Sequence, residues 1–448
     1  MRVPLHEKFA YGLGYFMPTA VTATSGLAMY FYTDVCALSA AFIGAMLLVV
    51  RIGDAFWDLL VGRLVDRTRT RWGQCRPYLL WTPPALALAL VASFTLPPWT
   101  GPARTAFVVA SFVALWWCYS LVQIPLQSLS ALVAPDPDER LRLNGIGSLM
   151  LFVCVILCGA GFPILKDVLA HGDVAAGFQR AAMVMALVGL VLTWIGFAAV
   201  KERAPPPPAA RPDLKADLGA LWRNRGWRAI VPAAGLQATL IGLPLASGPY
   251  YFAAAVGKPQ LVGPFMAVSG LGLMLGVIAS GLLTRRYCKK RVLVASTLAN
   301  AVVLLGYAVV PPTLLPAVMA LAFFANLMMG MGAPIGMSML ADSADEVERD
   351  ERRRVIGTLF ATSSLAQKIG AGLCAAIVGG VLATTHYLPG ASAQPPEALT
   401  GITALMGVIP ALFALLTAAI LAWGYPLGRV ELARLRDDLA RLRGPVAG

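Results

Sequence analysis

Charge is scarce in this chain. Asp, Glu, Lys and Arg make up 13% of its 448 residues, about half the share of a soluble domain, which argues against an ordinary globular protein. Histidine occurs only at His6, His171 and His386, too far apart in sequence to suggest an imidazole metal centre. The seven cysteines (36, 75, 118, 154, 158, 288 and 374) form no CxxC pair and no regular framework, which argues against a disulfide scaffold or a zinc site. Cys154 and Cys158, one helical turn apart, read as packing thiols. No GxSxG, Walker loop, HExxH or kinase signature occurs, and no enzymatic activity is expected. Acidic residues are outnumbered 36 to 23, for a net charge of +13. An excess of that size raises the question of nucleic acid, which its distribution along the chain decides.

Apolar residues are abundant: 58% of the chain is hydrophobic and the mean hydropathy is +0.71. A spanning helix needs about 20 mostly apolar residues. Twelve such stretches stand out, at about 9–33, 40–64, 78–97, 104–133, 143–165, 179–200, 229–255, 262–284, 291–310, 313–341, 355–384 and 401–425. The expected fold is an all-α membrane protein with twelve transmembrane helices. With the N-terminus inside, the inner segments hold thirty of the 36 basic residues, the outer loops hold Arg104, Lys166, Arg180 and Lys258, and Arg51 and Lys368 lie within spans. That bias sets a multi-pass orientation with both termini cytoplasmic in a plasma (inner) membrane. It accounts for the net charge through contact with an anionic leaflet, without nucleic acid.

The middle loop reads KERAPPPPAARPDLK, and its proline run is expected to be a stiff extended linker. The chain then divides into residues 1–200, a first six-helix bundle; 201–228, a cytoplasmic Pro-rich linker; 229–428, a second bundle; and 429–448, a cytoplasmic tail. GRLVDRTRTR from Gly62 and GLLTRRYCKKR from Gly281 place a small residue before a basic cluster at the same point of each half. That is the trace of a parallel repeat, as in major facilitator transporters. In the tail, Leu432, Leu435, Leu439 and Leu442 line one face of a helix. This face suits either a membrane-surface helix or an exposed polar end.

Against this background two carboxylates stand out. Asp54 and Asp58 fall inside the second apolar stretch, where each charge costs at least ~2.5–3.5 kcal/mol and usually faces a cavity. Four residues apart, they share a helix face with Arg51. Together they suit a monovalent cation or a proton, and the bland alternative is a pair that only holds helices together with Arg51. Lys368, in a late span rich in small residues, needs an acidic partner or a path to the surface. Asp54 or Asp58 would be the obvious partner. Asp66, Arg71, Arg76, Asp342 and Asp345 on the inner side read as a cytoplasmic gate and inter-helix pairs, or simply as topology signals.

Several strings carry a family likeness: EKFAYGLG at 7–14, YFYTD at 30–34, RIGDAFWD at 51–58, GRLVD at 62–66, RWGQCRPY at 71–78, IP at 124–125, ADSAD at 341–345 and QKIG at 367–370. They resemble the glycoside–pentoside–hexuronide:cation symporters, the melibiose-permease relatives within the major facilitator superfamily, over essentially the whole chain. The resemblance implies a secondary active transporter that works by alternating access. Asp54 and Asp58 would bind the coupling cation (Na+, Li+ or H+), and Lys368 would close that site between the halves. Thr19 on helix 1 and Tyr119, Ser120 and Gln123 on helix 4 match the sugar-binding positions. Thr19 and Gln123 stand where sugar-transporting relatives carry aspartates, and the arginine expected near Asn144 to Ser148 is missing. The expected solute is therefore a small sugar or glycoside, with a lysolipid or other amphipathic solute as the alternative. An uncoupled facilitator, a channel or a non-transporting receptor are further readings. No cofactor beyond the coupling cation is expected, and the chain is expected to act as a monomer in the bilayer.

Overall fold

The computed structural model describes residues 3–134, 136–203, 214–352, 355–391 and 393–443. Among them the main elements are α-helices: α1 (Leu5–Leu13), α2 (Phe16–Tyr30), α3 (Ala40–Arg67), α4 (Arg76–Ser93), α5 (Pro102–Val133), α6 (Pro137–Leu169), α7 (Val174–Ala199), α8 (Leu214–Arg223), α9 (Arg225–Tyr250), α10 (Val262–Arg286), α11 (Lys289–Val309), α12 (Leu315–Gly330), α13 (Gly332–Glu351), α14 (Ile356–Thr384), α15 (Pro396–Met406), α16 (Val408–Ala419) and α17 (Arg429–Arg443). Ten helical stretches among the described residues are long and apolar enough to cross a membrane.

The other two of the twelve expected spans depart from a plain apolar helix for local reasons. The first is α1 followed by α2, interrupted where the Tyr15 N–H bonds back to Gly12 O in a tight turn. The third, α4, is 18 residues long and carries Pro83 and Pro84 inside it, which lowers both its apolarity and its backbone bonding. Chain direction at helix starts is set by familiar devices. Asp173 caps α7 by accepting from Ala176 N at 3.1 Å, and Asn224 caps α9 by accepting from Trp227 N at 2.7 Å.

The helices group into two compact units. The first comprises Met1–Ala209, Leu245–Gly270 and Ala375–Leu399, and the second Ala210–Pro244, Leu271–Cys374 and Thr400–Gly448. The first unit holds an aromatic core in which the Phe31, Phe94, Phe162 and Phe178 rings sit 5.0–6.1 Å apart. Small residues let its helices cross closely: a Cβ on Gly147 would meet the Tyr11 ring at 2.9 Å, and one on Gly12 would meet Met150 Cγ at 2.6 Å. In the second unit α10 and α12 make a similar crossing through Gly276 and Gly330, whose added Cβ atoms would lie 2.1 and 2.2 Å from backbone carbonyls.

Two segments outside the spans differ from the sequence reading. The proline run at 205–208 lies outside the described residues, but the rest of the 201–228 stretch includes α8, a ten-residue helix. Its Ala220 and Leu221 are buried in the core of the second unit, and Asp217 accepts from Thr358 Oγ1 at 3.2 Å. The tail helix α17 packs on α13, with Leu435 only 2% exposed and Leu432 against the same core. The Leu439 and Leu442 side chains lie outside those described.

Candidate functional site

The two aspartates sit at the seam between α3 and α5 in the first unit. Asp54 is wholly buried, with 0% exposure, and Asp58 is half-buried one turn further on. The Ser120 hydroxyl reaches both, 2.9 Å from Asp54 Oδ1 and 2.6 Å from Asp58 Oδ1. The three oxygens form a compact set that a bare or half-hydrated monovalent cation, or a proton, can join. The seam has a register. One turn before the pair, the Arg51 guanidinium lies over the Trp116 ring, its Cζ 3.2 Å from the centroid. Beside the pair, the Trp57 and Trp117 rings stack at 4.8 Å, and Trp57 Nε1 donates to Trp117 O at 3.0 Å.

The sequence assigned Ser120 to the solute, and the structure brings it to the aspartates. Tyr119 is half-buried beside the same site, with its ring 5.0 Å from that of Trp116. Gln123, one turn further along α5, has a buried Oε1 without a hydrogen-bond partner among the described residues. Thr19 is buried on α2, and its hydroxyl donates to Tyr15 O of its own helix at 2.6 Å. Thr24 and Ser25 on α2 likewise bond to their own helix. Lys368 is half-buried on α14, in the part of that helix belonging to the second unit.

Four of the expected gate residues make contacts within their own unit. Asp66 is exposed, its backbone carbonyl accepting from Arg69 Nη1. Arg71 is exposed and lies over its neighbour Trp72, 4.4 Å from the ring centroid. Arg76 Nη2 donates to Phe197 O at 2.8 Å. Asp342 pairs with Lys289 at 2.8 Å, and Asp345 lies on α13 two helical positions from Ser343, which bonds to Met339 O.

Sequence reasoning missed Glu202. Its carboxylate accepts from the backbone N–H groups of Gln74, Cys75 and Arg76 at 2.8, 2.8 and 2.9 Å. This clamps the start of α4 to the end of α7. Gly73, at φ 111°, makes room for it, since a Cβ there would fall 2.4 Å from the carboxylate carbon. Burial, with Glu202 and Asp66 adding to it, pushes the Cys75 thiol up to about 12. The neighbouring Arg203 pairs with Glu7 at 2.6 Å. The glycine in RWGQCR was the available signal, but nothing in the sequence connected that loop to a carboxylate 128 positions beyond Gln74.

Solved transporters share this architecture. A D-xylose–proton symporter superposes with a TM-score of 0.66 at 14% identity, over 94% of this chain and 97% of its own. At that identity the likeness is one of fold. The chain belongs to the MFS/sugar transport protein family, which it matches over residues 10–429. YagG of Escherichia coli (strain K12), assigned as a glycoside/cation symporter, is 31% identical over 91% of this chain and 89% of its own length. The glucuronide carrier protein homolog of the same organism is 30% identical over 89% and 87%. The resemblance to the glycoside–pentoside–hexuronide:cation symporters read from the sequence is borne out by these relatives.

Proposed function

We propose that the protein couples the movement of a small polar solute, of the sugar or glycoside class, to that of a monovalent cation: Na+, Li+ or H+. The observation that carries this reading is the Asp54–Ser120–Asp58 set, with three oxygens on two adjacent helices and the inner carboxylate wholly buried. Two carboxylates in a low-dielectric site repel each other, and a cation relieves that repulsion. Ion binding offsets one of the pair's two negative charges and favours the state that takes up solute. By linkage, solute then tightens ion binding by the same factor. The cycle is alternating access, as in other transporters of this architecture.

The orientation follows the basic residues: both termini cytoplasmic, in a bacterial inner membrane. Lys368 enters as the basic residue of α14 that links ion occupancy to the cycle, and Asp66, Arg71, Arg76, Asp342 and Asp345 as the inner gate. Gln123, whose buried Oε1 is unpaired among the described residues, is the first candidate for a solute hydroxyl. The helix 1 threonine at 19 spends its hydroxyl on its own backbone. That specific feature favours a less polar, amphipathic solute as the second reading.

Calorimetric titration of the purified protein with sodium, lithium and protons tests the coupling, on wild type and Asp58→Asn. One ion should bind to the wild type and be lost in the variant. An ion-independent wild type would leave an uncoupled facilitator or a receptor and would make the aspartates structural. Uptake by ion-loaded proteoliposomes of a glycoside against a lysolipid then separates the two solute readings.

A further inference from the structure

Trp116 is among the largest side chains with no exposed surface, and the coupling scheme above gives it no task. Its indole Nε1 has no hydrogen-bond partner among the described residues. A buried N–H left unpaired is costly, and a phenylalanine would offer an apolar ring without that cost. The useful part of the side chain is therefore its face. On that face lies the Arg51 guanidinium, 3.2 Å from the ring centroid. The ring itself is braced edge-on by Phe112 at 6.2 Å and Tyr119 at 5.0 Å. Arg51 sits three residues before Asp54 on the same face of α3.

A guanidinium keeps its charge under all ordinary conditions, sheds water more readily than an ammonium, and stacks on aromatic faces. Indole is the best of the aromatic rings for this, and the attraction grows when the contact is desolvated. A guanidinium released from the ring would move against the nearby carboxylates and compete with any ion arriving there. A guanidinium seated on it is held by the indole face, and that hold sets how far its charge can reach toward the pair.

We propose that Trp116 is a positioning residue of the coupling site: its ring seats the permanent charge of Arg51 and so sets how strongly Asp54 and Asp58 attract the coupling ion. The inference rests on the cation-coupled reading of the site.

The test is the ion dissociation constant of the purified full-length protein, titrated with sodium chloride, lithium chloride and acid. Wild type, Trp116→Tyr, Trp116→Phe and Trp116→Leu are compared, each also in an Arg51→Gln background. Affinity should fall in the order Trp, Tyr, Phe, Leu, with about a tenfold loss at leucine, and solute KM at saturating ion should stay unchanged. In the Arg51→Gln background the series should collapse to a single value. An aromatic series of equal affinity, or losses that persist without Arg51, would overturn the proposal, and the Tyr and Phe variants decide it even if the Leu variant does not fold. If wild type binds an ion that Asp58→Asn abolishes while the ring series is flat, only the seat is wrong. If wild type binds none of the three ions, the coupling reading fails and the seat with it.

Discussion

At the scale of single residues, a hydroxyl decides what two carboxylates can do. Ser120 is 1% exposed and within hydrogen-bond reach of both aspartates. Asp54 and Asp58 were legible in the sequence because charge is conspicuous in an apolar run and a spacing of four puts two residues on one face. A serine in a membrane helix has no such signature, since its hydroxyl can satisfy itself on its own helix, as Thr24 and Thr33 do. Only the register of α5 against α3 singles it out. Ser120→Ala removes one of three oxygens and is expected to weaken ion binding about tenfold or more, by the loss of roughly 1.5–3 kcal/mol for a hydrogen bond to a charged group. Ser120→Thr keeps the oxygen and should stay within a few-fold of wild type. Calorimetry on the two variants checks this, and equal losses in both would place the serine outside the ion site.

Glu139 supplies a second prediction at this scale, away from the membrane core. Its carboxylate pairs with Lys8 at 2.8 Å and accepts from Val3 N at 3.3 Å. The hydrogen bond from the Lys8 ammonium, foremost, holds it below the ordinary glutamate value of 4.5. A carboxylate whose value is depressed on folding contributes stability above its unfolded value, and that contribution is lost as pH falls through the folded one. The tie between α1 and α6 should therefore be intact at neutral pH and fade as pH falls below about 4.5, the ordinary glutamate value. Thermal unfolding followed from pH 7 to pH 3 should show a smaller acid-induced drop in Glu139→Gln than in wild type; identical profiles would mean the tie contributes nothing.

At the scale of helices, hydropathy located the segments, and backbone detail accounts for the departures. Ten of the twelve expected spans are helical stretches that qualify by length and composition alone. The first and third escape that description because of a turn at Gly14 and Tyr15 and the two prolines of α4. α8 was not legible because it follows a proline run, and only its packing within the second unit shows why the chain becomes helical there. Helix crossings were invisible for another reason: a glycine reads as a breaker until its neighbour is known. Gly276 faces the Leu327 carbonyl, where a Cβ would sit at 2.1 Å, whereas Gly281 five residues on faces nothing within 4 Å. Gly276→Ala must push α10 and α12 apart and should cost about 1–3 kcal/mol. Gly281→Ala gains helix propensity and should be neutral or stabilising by up to ~1 kcal/mol. Thermal midpoints in detergent separate the two, and an equal effect at both positions would contradict the crossing.

At the scale of the whole molecule, sequence pattern revealed the fold through its basic clusters and its repeat, but not which distant segments meet. YFYTD looked like one family string among several. In the structure it forms a clasp inside the first unit, at the end of α2 remote from the N-terminus. Asp34 Oδ1 accepts from Tyr387 OH at 2.7 Å and from Gly390 N at 3.2 Å. Its Oδ2 accepts from Thr33 Oγ1 at 2.7 Å, and the Thr33 and Tyr250 hydroxyls are 2.7 Å apart. The Tyr250 ring lies edge-on to those of Tyr30 and Tyr387, at 5.3 and 5.4 Å. Nearby, α3 and α14 cross with a Cβ on Gly379 meeting Ala40 O at 2.4 Å. In the orientation proposed above, this is the outer end, and a transport cycle that opens it between these segments must break these contacts. Their strength then sets how often that end opens. Asp34→Asn discards the charge behind three hydrogen bonds, and Tyr387→Phe discards one hydroxyl, so the first should open the clasp more than the second. Cys36, two residues beyond Asp34 and 1% exposed, reports on it. With the other cysteines replaced, its labelling by an impermeant maleimide should rise about tenfold or more in Asp34→Asn and by less in Tyr387→Phe. Labelling that stays at the wild-type rate in both would make the clasp a fixed part of the unit, and opening would then have to occur elsewhere along the helices.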